Sequence, residues 1–195
     1  KPEDEIKDWG VKVNGTFNRF EDLPFPKVAA INGAALGGGC EMTLVCEYRV
    51  MSEKASIGLP ETQLGIFPGF GGTVRSTRAL EALKLGLVDA TVAADDLQDA
   101  AVDLVKKCIS GELDWQAKRE EKLNPVKLNQ LEQAMAFNSA KGMIFSKANP
   151  KQYPAPALAI EAIEKHVNLP RDKAIEVEAT YFAKAAKTPQ AESLV

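Results

Sequence analysis

The chain has 195 residues, 45% hydrophobic and 26% charged, with 24 Lys and Arg against 27 Asp and Glu for a net charge of -3. That is the make-up of one globular domain, or of a domain with an appendage, able to bury a sizeable core. The acidic balance and the lack of any basic block exclude nucleic acid as the principal partner. The most apolar stretch, Val28 to Cys46, holds Asn32, Glu41 and four glycines, which makes it unfit to span a bilayer. The three cysteines, Cys40, Cys46 and Cys108, are odd in number and without CxxC spacing. With no cationic leader ahead of an apolar run, the expectation is a reduced, cytoplasmic setting.

In chain order, Lys1 to Asp22 reads as a helix with Trp9, Val13, Phe17 and Phe20 on one face, stopped by Pro24 and Pro26. Val28 to Ile31 is a short apolar strand. The glycine triplet Gly37 to Gly39 then opens a helix through Cys40 to Cys46. Tyr48 to Met51 and Ser56 to Leu59 return as strands, so the pattern is α/β alternation. Residues 65–78 form a loop feeding a helix, and 87–92 is strand-like. Asp95 to Ile109 is an amphipathic helix ended by Gly111. Beyond it, apolar spacing at Leu128, Leu131 and Met135, at Ile160, Ile163 and Val167, and at Ile175 and Phe182 predicts three one-sided helices. The division is therefore 1–110 for an α/β core and 111–195 for a helical region. Between Arg78 and Lys84 one helical pattern runs into another with no turn signal, which predicts missing residues near 78–79.

Nine of the 14 glycines lie between Val28 and Val74, so that window needs unusual backbone geometry. Inside it stand two isolated carboxylates. Glu41 is the one acid or base other than cysteine between Lys27 and Glu47, and Glu61 the one between Lys54 and Arg75, 20 residues later. A glutamate in such ground either belongs to a satisfied structural network or is a general acid-base group tuned by burial. The turn LGGGCE favours the second, because backbone N–H groups at a helix start welcome an anion or a developing oxyanion. PGFGG, at 68–72, is either a close backbone crossing or a second part of the site. No GxGxxG or GK[ST] spacing is present, so nucleotide binding is set aside. His166, the lone histidine, reads as a surface helix residue; ligands at workable spacing for zinc are lacking. Cys40 reads as small-residue packing.

PKVAAINGAALGGGCEMTLVCEYRV followed by IGLPETQLGIFPGFGGTVR closely resembles the enoyl-CoA hydratase, or crotonase, superfamily, including the 20-residue separation of its two glutamates. FNRFEDLPFP, LKLGLVDATV, GELDWQAKREEKL, AKGM and YPAP resemble its multifunctional branch, whose hydratase part is joined to a dehydrogenase in a bacterial fatty-acid oxidation complex. The resemblance implies a crotonase-like ββα superhelix, here lacking its first strands and followed by a helical C-terminal region. It implies hydration of trans-2-enoyl-CoA with shift of a cis-3 double bond to trans-2. Glu41 would hold and activate water, Glu61 would exchange a proton with the substrate α-carbon, Gly38 would give one oxyanion N–H, and the Gly69 N–H would help position the water. The acyl-CoA thioester is then substrate, with no cofactor and no metal. Partners implied are a trimer of like chains or a thiolase subunit. The family's Ala/Gly-Gly-x-Asp motif, source of the second oxyanion N–H, is expected upstream of Lys1. A competing expectation is a crotonase-fold module that binds acyl-CoA or assembles without catalysis. The presence of both glutamates favours the enzyme.

Overall fold

Glu3, Asp4 and Glu5 follow Pro2 and start helix α1 (Glu3–Glu21) with negative charge at its positive end. The computed structural model describes residues 1–83 and 87–194. Two parallel sheets follow. In the first, β1 (Val28–Ile31), β3 (Tyr48–Ser52) and β5 (Ala90–Val92) lie in the order β1-β3-β5, with Ala30 opposite Val50 and Val50 opposite Ala90. In the second, β2 (Ala34–Leu36) pairs β4 (Ser56–Gly58), Ala35 facing Ile57. Parallel neighbours need a crossover, and α2 (Gly38–Leu44) supplies it. Two successive strand pairs thus stack turn upon turn, each turn giving one strand to each sheet. Strand β2 is absent from the sequence reading because three residues flanked by glycines carry no period-two signal.

A 3-10 turn (Glu61–Leu64), helix α3 (Gly72–Leu83) and helix α4 (Leu97–Ser110) complete the first part, and Gly111 ends α4 at φ 80°. Helix α3 runs across Arg78 and Ala79 without interruption; residues 84–86 of the suspected junction lie outside the described residues. Five helices follow where periodicity predicts three: α5 (Trp115–Leu123), α6 (Gln130–Lys147), α7 (Pro154–His166), α8 (Arg171–Ala186) and α9 (Pro189–Leu194). Helix α5 is largely charged and is marked by its cap, Asp114 accepting the Ala117 N–H at 2.9 Å. Helix α6 starts with a capping box formed by Asn129 and Glu132.

Two faces are corrected. The buried residues of α1 are Gly10, Asn14 and Glu21, whereas Trp9 is 44% exposed. Trp9 and Phe17 instead surround the Phe70 ring, with centroids 5.3 and 6.0 Å away. Leu131 and Met135 on α6, expected to pack, are 70% and 66% exposed.

The core is a set of small clusters. Cys40, Leu44 and Ala79 pack with Ile57 and Leu59; Phe67 packs with Ala162, Ala185 and Phe182; Val74 packs with Ala174 and Ile175. A buried ion network joins them. Arg75 donates to Glu21 at 3.0 Å and to Asn18 at 2.6 Å, while Lys122 and Arg171 approach Glu21 at 3.8 and 3.5 Å. Arg78 donates to the carbonyls of Leu123 and Leu169, both at 2.8 Å. Among the described residues no helix is long and apolar enough to cross a membrane.

Candidate active site

Strand β2 ends at Leu36, and the ladder is carried one step further by the Gly37 N–H donating to the Gly58 carbonyl at 3.0 Å. Gly37 then turns the chain into α2 with φ 56° and ψ -127°, a conformation that a side chain would strain. Its carbonyl accepts the Glu41 N–H at 3.0 Å. Gly38 is the first residue of α2, so its N–H is one of those that a helix leaves without an internal partner. Beside this turn lies Glu61, at the start of the 3-10 turn: a Cβ built on Gly37 would sit 3.3 Å from the Glu61 carboxyl oxygen Oε1. Glu61 therefore stands against the turn that opens α2, the helix that carries Glu41.

Their surroundings differ. Glu41 is 2% exposed, and its Oε1 accepts the N–H groups of Phe70 at 2.8 Å and Gly72 at 3.0 Å. Gly72 must be glycine, since a Cβ there would meet that oxygen at 2.5 Å. Burial pushes the Glu41 carboxyl up to about 8; the neighbouring charge of Glu178 adds to the rise and that of Glu61 adds less. The two backbone donors oppose it and lose. Glu61 is half-buried, and its Oε2 is buried with no hydrogen-bond partner among the described residues. Desolvation raises it as well.

Gly69 lies at the base of the same loop, against the Phe182 ring, which a Cβ would meet at 2.5 Å. Its carbonyl accepts from Asn14 of α1 at 2.9 Å. PGFGG is thus a close backbone crossing, and its Phe70 and Gly72 amides hold Glu41. Cys40 is fully buried, its thiol pushed up to about 11 by desolvation, as small-residue packing requires.

His166 corrects the surface reading. It is 1% exposed, its Nε2 lies 3.1 Å from the Thr73 Oγ1, and desolvation with the Arg78 charge lowers it to about 4. The same threonine hydroxyl donates to Glu178 at 2.5 Å. Glu178 itself escaped the sequence reading. The available signal is its place on the α8 face that also carries Ala174, Ile175 and Phe182, where a glutamate interrupts an apolar row at helical spacing.

Two carboxyls, one buried and one half-buried, thus lie near a glycine turn, 20 residues apart in sequence. Residues 4–153 fit the family model described as enoyl-CoA hydratase/isomerase. The chain belongs to the enoyl-CoA hydratase/isomerase family. Among curated relatives, the fatty acid oxidation complex subunit alpha of Psychrobacter cryohalolentis is 83% identical over 99% of this chain and 29% of its own length. That of Acinetobacter baylyi is 57% identical over the same shares. The chain thus spans less than a third of the relatives it matches. The alignment to the first covers 211 positions against 195 residues here, so at least 16 of its positions have no counterpart in this chain. Among solved structures, enoyl-CoA hydratase from Bacillus anthracis aligns with TM-score 0.52 and 29% identity, over 88% of this chain and 72% of that one. The enoyl-CoA hydratase from Mycobacterium avium subsp. paratuberculosis K-10 aligns with TM-score 0.60 and 20% identity, over 100% and 72%, and bears on the fold alone. The crotonase fold of the family accounts for the stacked strand pairs and the helical C-terminal region.

Proposed function

We propose that this chain carries the hydratase and isomerase chemistry of fatty-acid β-oxidation, adding water to trans-2-enoyl-CoA thioesters and shifting a cis-3 double bond to trans-2. The observation that carries the reading is the pair of carboxyls, both raised by burial, near the Gly37–Gly38 turn, one of them with an oxygen left unpartnered. Neighbouring carboxyls that are both raised hold one proton between them over part of the neutral range. Hydration uses that single proton. Glu41 takes a proton from water as the hydroxyl adds to the β-carbon, the thioester oxygen gathers negative charge against the Gly38 N–H, and Glu61 delivers its proton to the α-carbon. Proton return from Glu41 to Glu61 resets the site. The double-bond shift needs Glu61 alone to remove and return a proton, with the enolate held at the same N–H. Gly69 contributes its N–H to the water.

No resident cofactor or metal is required by this scheme. The partners we assign are the enoyl-CoA substrate and, from the names of the relatives, the other subunit of a fatty-acid oxidation complex, or a trimer of like chains. We place the positions without counterpart at Arg78 and Ala79, where two helical patterns abut.

The test is a pair of isosteric substitutions in the longest natural polypeptide that contains this chain. Glu61→Gln is expected to lower both hydration and double-bond shift by a factor on the order of 10² to 10⁴, the usual worth of a positioned acid-base group. Glu41→Gln is expected to lower hydration more than the shift, which needs no water. Wild-type rates in Glu61→Gln, assayed on a short trans-2-enoyl-CoA and a cis-3-enoyl-CoA, would leave non-catalytic acyl-CoA binding as the better account.

A further inference from the structure

The amides at the start of α3 are divided between two carboxylates. Phe70 and Gly72 donate to Glu41 of α2, at 2.8 and 3.0 Å. Gly71, Thr73 and Val74 donate to Glu178 of α8, at 2.7, 2.9 and 3.3 Å, and the Thr73 hydroxyl adds a fourth bond. Up to Thr73 the alternation is strict, so neither side chain can move without turning the peptide planes that serve the other. One turn further along α8, Phe182 closes on Gly69 in the same loop. Glu178 is fully buried and more than 100 residues from its partners in sequence. It lies beyond residues 4–153, the span that fits the family model.

We propose that Glu178 is a positioning residue for the hydration reaction: from α8 it holds the peptide planes that aim the Phe70 and Gly72 amides at Glu41. The inference rests on the functional reading above and deepens it. A carboxylate that needed only internal satisfaction would gain nothing from interleaving its donors with those of another carboxylate. Among the described residues the charged and titratable groups around the pair are Glu61 and Cys40 beside Glu41, Arg75 on α3 near Glu178, Glu21 of α1 paired with that Arg75, and His166 of α7 on the shared threonine. His166, lowered to about 4, is neutral at pH 7 and adds no charge. Arg75 is held by Glu21 and by the Phe70 carbonyl. Of the neighbours of Glu41, Glu178 adds most to the rise of its carboxyl, and burial raises Glu178 in turn against the Thr73 hydroxyl, the Gly71 amide and Arg75.

The site is active with one proton on the Glu41–Glu61 pair, so the hydration rate falls as pH rises through the value at which the pair loses that proton. Glu178→Gln removes a carboxyl beside Glu41, lowers that value and moves the descending limb of kcat to lower pH, by on the order of one pH unit. Glu178→Asp keeps the carboxyl but withdraws it from the amides. It is expected to leave the limb in place and lower kcat at least about tenfold with KM unchanged, since misaimed groups cost rate. The assay is steady-state hydration of a short trans-2-enoyl-CoA from pH 5 to 10, on the longest natural polypeptide containing the chain. A limb that stays at its wild-type pH in folded Glu178→Gln, or wild-type kcat in Glu178→Asp, overturns the positioning role. Should Glu178→Gln not fold, Glu178→Asp decides alone by its kcat. Loss of the functional reading is a separate result, seen as wild-type protein without hydratase activity.

Discussion

The glycine-rich stretch from β1 to the start of α3 and the helical stretch from α5 to α9 are built on opposite rules. The first contains strands of three to five residues, a 7-residue helix and both proposed catalytic glutamates. The second contains helices of 6 to 18 residues and neither of those glutamates. Yet the first stretch does not hold its own geometry. Its loop 69–74 is gripped by Glu178 and Phe182 of α8, by Thr73 bonding to His166 of α7, and by Asn14 of α1. Reacting groups sit where glycine lets backbones come close, and rigidity is borrowed from helices that regular periodicity can support.

The largest effect that would break this division lies at Arg75, which ties α3 to α1. Arg75→Met removes the bonds to Glu21, Asn18 and the Phe70 carbonyl and leaves Glu21 facing Lys122 and Arg171 only. Breaking a buried pair from one side costs about 3 to 5 kcal/mol. Urea unfolding should show that loss together with lower hydratase activity. A loss below about 1 kcal/mol would mean that the network is ornament to the fold.

Next in size is a pH effect from α7. Free histidine takes its proton near 6.5, but His166 in the fold resists until about 4. Between those values the unfolded chain binds more protons, so stability falls as pH drops through the window and recovers as pH rises above it. The difference is about 3 kcal/mol. His166→Gln should therefore lose less stability than wild type between pH 7 and pH 4. Parallel curves for the two proteins would show that the imidazole is solvated after all.

The smallest expected effect sharpens the contrast from the other side. Leu131→Ser and Met135→Ser on the exposed face of α6 should change stability by no more than about 0.5 kcal/mol, as surface substitutions do. A loss above about 2 kcal/mol, measured in the longest natural polypeptide containing the chain, would show that another surface covers α6.

What could be read from the sequence follows the same boundary. Glu41, Glu61 and the glycine turn stood out because charge is rare and glycine common in that window, which is a local property. Strands β1, β3 and β4 carried enough apolar pattern to be seen, and Gly111 marked the end of α4. The buried polar face of α1, the burial of His166 and the partners of Glu178 were not legible. Each is decided by contacts between residues far apart, such as Thr73 with His166 or Gly71 with Glu178, 93 and 107 positions away. A histidine or glutamate in a helix looks the same in sequence whether water or a threonine receives it. Helix α5 was passed over because its charged sequence carries no apolar period, yet Arg119 bonds Glu47 at 2.8 Å and Lys122 donates to the Cys46 carbonyl at 2.7 Å.

The short helix α9 bears on how this chain can be cut and joined. It packs on the 3-10 turn that begins with Glu61, and the turn's final glycine, Gly65, comes so close that a Cβ there would lie 2.9 Å from the Ala191 nitrogen. Ala191 is buried, while Lys187, Gln190 and Glu192 around it are half-buried or exposed. A splice placed at the inviting polar break after Ala186 would remove the floor beneath one of the two glutamates while leaving all five strands intact. A shortened or grafted version made that way can pass every spectroscopic check of folding and still be inert. A cut that spares the Glu61 turn therefore leaves α9 in place.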